Sequence, residues 1–229
     1  MKTSRLTIAL LVLLALASLG TTALIALNIA RQRSEAAADN SAINPGVAQT
    51  SGNPLFDHPL ALPPFTLTER NGEPFDSASL RGKVWVADFF FTHCPGFCPR
   101  LTSEMVRLQT QFRADQRWED LRLVSISVDP TRDTPERLRD YANSYEADPQ
   151  HWLFLTGDES TVRRLVREGF KQPVDNGTDA DGSPIIHTSN FVLVDRQGRI
   201  RGYYDAFIDE EMRQFQTDLE RVLAEPAPQ

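Results

Sequence analysis

The chain has 229 residues, 41% of them apolar and 24% charged, which excludes a long disordered or fibrous polypeptide and fits one ordinary domain with appendages. Acids outnumber bases by 31 to 24, for a formal charge of -7, so a surface that tracks phosphates is disfavoured and no nucleic-acid partner is expected. Only two cysteines occur, Cys94 and Cys98, which excludes both a disulfide-rich scaffold and a four-cysteine zinc site.

From Leu6 to Ala30 no side chain is charged, and Lys2, Arg5, Arg31 and Arg33 flank the run. At about 1.5 Å per residue this stretch can span a hydrocarbon layer of roughly 30 Å, so residues 1–33 read as an N-terminal transmembrane helix. The competing reading is a cleaved signal peptide, with Ala15-Leu16-Ala17 as a small-residue cleavage site, although the apolar run is longer than an ordinary signal core. Both readings export the rest of the chain. With no Arg- and Ser-rich transit segment before Leu6, the expectation is a single-pass protein of a bacterial inner membrane with its domain on the periplasmic side. Residues 34–56, rich in Ala, Ser, Asn and Gly, read as a flexible tether, and residues 57–229 as the folded domain.

Within the domain, Phe65 to Thr68, the turn Asn71-Gly72 and Pro74-Phe75 predict a short hairpin. The nearly unbroken apolar run Val84 to Phe91 predicts a strand buried on both faces. Leu101, Met105, Leu108 and Phe112 then recur at helical spacing, with Pro99 in a first turn that tolerates it. Leu121 to Val128 is a second strand, and Thr134-Pro135 caps a helix carrying Leu138, Tyr141, Ala142 and Tyr145. Trp152 to Leu155 is a third strand, after which Asp158 caps a helix with Val162, Leu165 and Val166. Phe191 to Val194 and Ile200 to Tyr204 flank the turn Asp195-Arg196-Gln197-Gly198, and Asp209 caps a last helix through Met212, Phe215, Leu219 and Val222. Strands alternating with helices and closing on a hairpin and a helix give an α/β domain, parallel in its first part, that suits a thioredoxin-like fold.

Thr92-His93-Cys94-Pro95-Gly96-Phe97-Cys98-Pro99 places both sulfurs between a buried strand and a helix N-terminus. The helix dipole and free N–H groups there favour thiolate, so either sulfur could serve as a nucleophile or as a metal ligand. A permanent disulfide is the bland alternative. In a helix-like turn the Cα atoms lie about 6 Å apart, but so short a ring gains little loop entropy and would be readily reduced.

These pieces together resemble the Sco/SenC family of membrane-anchored, thioredoxin-fold copper-binding proteins that serve cytochrome c oxidase assembly. The resemblance runs from about Leu62 to Val222 and rests on four stretches. They are Phe91 to Pro99, then Ser125-Ile126-Ser127-Val128-Asp129-Pro130-Thr131-Arg132-Asp133-Thr134-Pro135, Ile186-His187-Thr188, and Gly202-Tyr203-Tyr204-Asp205. It implies one copper ion held by Cys94, Cys98 and His187. It also implies a copper-bearing oxidase subunit as partner and, as a further one, another periplasmic copper carrier. Soft thiolates suit Cu(I), and an imidazole also suits Cu(II), so such a set could hold either state. Gly96 stands where the family's most familiar cysteine loop has an acid, which removes a charge beside the metal and puts partner choice in question more than metal binding.

Asp88, alone in an apolar strand and six residues before Cys94, matches the spacing of the buried acid of thioredoxins and would move protons to or from Cys98. Asp129 either fixes an Asp-Pro turn or lies near the copper or the docking face. His93 is expected beside the site or at the surface, and His58 and His151 receive no role. Asp175, Asp179 and Asp181 lack the register of a calcium loop and read as a solvated loop. A membrane-tethered thiol-disulfide oxidoreductase that keeps target cysteines reduced is the second functional reading. A peroxide-reducing enzyme is a third, weaker for want of the peroxiredoxin Thr and Arg arrangement.

Overall fold

The computed structural model describes residues 54–178, 184–186 and 188–227, with the backbone alone described for 54, 174–178 and 184–186. The expected membrane segment and most of the tether lie outside the described residues. Among the described residues no helix is long and apolar enough to cross a membrane.

The strands are Leu60–Ala61 (β1), Thr66–Glu69 (β2), Pro74–Asp76 (β3), Val84–Phe90 (β4), Leu121–Ser127 (β5), Trp152–Thr156 (β6), Val174–Thr178 (β7), Pro184–Ile186 (β8), Asn190–Val194 (β9) and Arg199–Asp205 (β10). The helices are Pro54–Asp57 (α1), Cys98–Phe112 (α2), Pro135–Ser144 (α3), Glu159–Arg164 (α4) and Asp209–Ala224 (α5). Eight strands form one mixed sheet in the order β1-β10-β9-β4-β5-β6-β2-β3, while β7 and β8 pair as a separate ribbon.

The centre of the sheet follows from composition. Every residue of β4 is buried, as a strand covered on both faces must be, and it runs parallel to β5 from Val84↔Leu121 to Phe90↔Ser127. β6 continues the parallel set on β5, and β9 lies antiparallel on the other side of β4. Side chains alternate across the sheet. On one face Trp85 and Phe89 meet Phe170, at ring separations of 6.0 and 5.0 Å; on the other Phe90 meets Tyr141 of α3 at 5.1 Å. Asp88 shares the second face with Phe90, toward α2 and α3.

Four local expectations change. Residues 54–56, expected at the end of the tether, form α1 together with Asp57, because Phe56 is buried under the Arg201 and Arg221 guanidiniums at 4.4 and 3.9 Å from its ring. The helix begun by Asp158 does not continue as α-helix through Val166; it widens into a π turn, Leu165–Gly169, that delivers Phe170 to the core. Asp209 does not cap α5. Ile208 holds the N-cap position with extended backbone and no side-chain hydrogen bond, and Asp209 sits in the first turn, where the dipole favours an acid. Asp175, expected in a loop, falls within β7, whereas Asp179 and Asp181 lie outside the described residues.

Candidate metal and thiol site

The strand that carries the apolar run ends at Phe90, and the chain turns through Phe91–Phe97 into α2 at the C-terminal edge of the parallel strands. The Cys94 N–H donates to Phe91 O at 3.3 Å, and Leu101 N–H to Phe97 O at 2.9 Å opens the helix, with proline in its first turn. Cys98 therefore heads α2 and Cys94 precedes it by one turn. Both are free thiols, Cys98 fully buried and Cys94 nearly so at 8% exposure. A Cβ at Gly96 would meet open space, so the turn itself does not demand glycine there.

Burial overrides the expected effect of the helix dipole at Cys98. Its thiol is pushed up, first by desolvation, then by its hydrogen bond with Cys94, and further by the nearby Cys94 and Asp88 charges. Asp88 is 1% exposed, and neither carboxyl oxygen has a geometrically sound hydrogen-bond partner among the described residues. Desolvation raises its pKa to about 7, and the hydroxyl of Ser125, its register partner on β5, offsets only part of that. The structure thus sets Cys94 beside Cys98, with the buried Asp88 near enough for its charge to act on the Cys98 thiol. One turn along α2, Thr102 donates to Cys98 O at 3.0 Å and shares a 2.8 Å hydrogen bond with the Tyr141 hydroxyl.

Asp129 lies at the end of β5, and its carboxylate takes the Arg132 guanidinium at 2.5 Å. His93 Nε2 lies 3.4 Å from the same carboxylate, close enough to pair when protonated but outside hydrogen-bond geometry, so His93 faces Asp129. His187 falls outside the described residues. Among the described residues no cluster of three His, Cys, Asp or Glu side chains could hold a metal ion. Immediately after His187, the buried Thr188 donates to Gln172 Oε1 at 2.7 Å, and Asn190 Nδ2 donates to the same atom at 3.0 Å. Gln172 thereby ties together the two ends of the excursion that carries β7 and β8.

Two polar groups escaped sequence reasoning. Asp133 is fully buried and binds Thr92, which leads into the cysteine turn, although nothing in the stretch Asp129-Pro130-Thr131-Arg132-Asp133 marks it as buried. His151, which received no role, is buried and stacked on Trp118 at 4.7 Å with Nδ1 3.3 Å from Asp148; this lies at the opposite ends of β5 and β6 from the thiols and supports packing.

Comparison with known proteins shows the family. The profile of the SCO1/SenC family matches residues 56–224. A SCO1 homologue of Bacillus subtilis is 36% identical over 143 residues, which cover 62% of this chain and 72% of the relative. A protein of Stutzerimonas stutzeri described as copper-binding is 37% identical over 153 residues, covering 66% of this chain and 72% of the relative. Among solved structures, a SCO1/SenC family lipoprotein of Bacillus anthracis superposes with a TM-score of 0.65 at 32% identity, over 72% of this chain and 96% of that one. Bradyrhizobium japonicum ScoI, solved with copper bound, superposes with a TM-score of 0.55 at 30% identity, over 71% and 99%. The match of the profile to most of the folded domain, on a mixed sheet whose cysteine turn opens α2, makes this chain a member of the SCO1/SenC family with that family's thioredoxin-like fold.

Proposed function

We propose that this protein binds one copper ion through Cys94, Cys98 and His187 and delivers it to, or matures, the binuclear copper site of cytochrome c oxidase. The observation that carries the reading is the pair of adjacent free thiols at the head of α2, on a chain whose relatives include a protein described as copper-binding and one solved with copper bound. A soft, largely dehydrated dithiol suits Cu(I), and imidazole as third donor extends the set to Cu(II). Burial raises the cost of a free Cys98 thiolate, and a bound cation would offset that cost. The partner is the copper-bearing oxidase subunit, with another periplasmic copper carrier as a further one. The apolar N-terminal run holds the domain at a bacterial inner membrane, on the periplasmic side. A tether of about 20 residues gives it a reach of roughly 25 Å.

The second reading, a thiol-disulfide oxidoreductase, is favoured by Asp88. In it the Cys94 thiolate attacks a target disulfide and forms a mixed disulfide. Cys98 then displaces the target thiolate, leaving the target reduced and Cys94–Cys98 oxidised, while Asp88 exchanges the Cys98 proton. His187→Ala separates the two readings. It should weaken copper binding at least tenfold while the rate of disulfide reduction on a peptide carrying a cysteine pair stays within about twofold. Undiminished copper affinity would remove the histidine from the ligand set and leave the reductase as the better account.

A further inference from the structure

Asp133 is a fully buried carboxyl with no arginine or lysine partner among the described residues, and two of its three side-chain hydrogen bonds come from Thr92, on the approach to the cysteine turn. The Thr92 N–H donates to its Oδ2 at 3.0 Å and the Thr92 hydroxyl to its Oδ1 at 2.6 Å. The Ser127 hydroxyl, at the end of β5, donates to Oδ2 at 2.6 Å. Thr92 in turn accepts from Arg137 Nε at 2.9 Å, and Ser127 accepts the Asp129 N–H at 3.1 Å. Asp133 itself is held by its own N–H on Asp129 O at 2.9 Å. One carboxyl, two residues ahead of α3, therefore joins the segment that leaves β4 to the end of β5.

Thr92 follows the last ladder residue of β4 by two positions and precedes Cys94 by two, so it occupies the point where sheet pairing ceases to dictate the backbone. We infer that Asp133 is a positioning residue for the cysteine pair. By taking both the N–H and the hydroxyl of Thr92 it sets the direction in which the chain leaves the sheet, and with it the separation and aim of the two sulfurs. This deepens the copper and thiol reading and rests on it. A buried polar group whose partners are removed leaves them unsatisfied, so the device is costly to break. A purely structural anchor would give the same loss of stability, so the test needs a readout at the sulfurs and a control elsewhere.

Asp218 supplies that control, being fully buried and accepting from the Tyr204 hydroxyl at 2.8 Å, with Arg221 at 3.3 Å. Asp133→Ala, Asp133→Asn, Thr92→Val and Asp218→Ala should be made in the full chain, in detergent. Each would be measured for melting temperature, for the reduction potential of the Cys94–Cys98 couple, and for the thiolate-to-copper absorption after loading with Cu(II). Asp133→Ala and Thr92→Val should shift the potential, changing the thiol-disulfide equilibrium against glutathione at least fivefold, and should move or weaken the absorption band. Asp133→Asn, which keeps an acceptor for the Thr92 N–H, should fall between them and the parent. Asp218→Ala should melt earlier with both readouts unchanged. Should Asp133→Ala fail to fold, Asp133→Asn and Thr92→Val decide. Unmoved potential and absorption in those variants, or an equal change in Asp218→Ala, would overturn the proposal. No copper bound by the parent, with the potential still shifted in the Asp133 and Thr92 variants, would sink the copper reading and keep Asp133; copper binding by the parent with no shift in any variant would do the reverse.

Discussion

At the scale of single residues, the buried Asp88 carboxyl makes the sharpest stability prediction. Its pKa is raised by burial to about 7, above the unfolded value of 3.8. The folded state therefore holds the proton more tightly, and the associated stability is fully present below about pH 4 and lost as pH rises toward 7. Asp88→Asn abolishes that loss. Relative to the parent, the apoprotein variant should gain stability between pH 5 and pH 8 by at most about 4 kcal/mol. Denaturant unfolding at both pH values checks this, and a pH-independent difference would contradict it. The same change should slow thiol exchange near neutral pH while leaving copper bound. Asp88 was legible because one acid in an apolar strand stands out. Asp133 was not, because a turn acid that gathers donors from Thr92, distant in sequence, and from Ser127, in a strand, looks in sequence like one facing water.

At the scale of elements, local signals placed most segments, and tertiary contacts decided the rest. Thr134 caps α3 by accepting the Arg137 N–H at 3.3 Å, and Asp158 caps α4 by accepting the Thr161 N–H at 3.0 Å, both as Ser, Thr and Asp before a helix suggest. The edge strands could not be placed in this way. β2 pairs with β6 through Thr68↔Thr156 and Glu69↔Leu155, and β1 with β10 through Leu60↔Ile200, pairings that no local periodicity encodes. The start of α5 provides the test. Ile208 is 44% exposed and occupies the N-cap without a capping side chain. Ile208→Ser would supply one at little loss of burial, so it should stabilise the domain by about 0.5–1 kcal/mol, read as a higher melting temperature. A lower one would show that Ile208 packs more firmly than its exposure implies.

At the scale of the molecule, the parallel core, the closing hairpin and the placement of the cysteine turn at the C-terminal edge of the parallel strands were all legible, since apolar runs and helical spacing specify them. What ties the far end of the chain to this core was not. Arg196 donates to Val222 O at 3.0 Å, Glu225 O at 2.9 Å and Leu223 O at 3.1 Å, and pairs with Asp120 at 3.1 Å, so one guanidinium closes the last turn of α5 against the β9–β10 turn. Arg196→Ala should cost about 2–4 kcal/mol by stranding those carbonyls, whereas Arg213→Ala, at an exposed i,i+3 pair with Glu210, should stay within about 0.5 kcal/mol; denaturant unfolding compares them. Both lie away from the cysteine turn, and neither should alter copper binding. The central claim is met most directly by metal analysis of the full chain, purified in detergent, reduced and loaded with Cu(I). The account predicts about one copper retained per chain, and none above background in the Cys94→Ser, Cys98→Ser double variant; equal retention by the two proteins would contradict it.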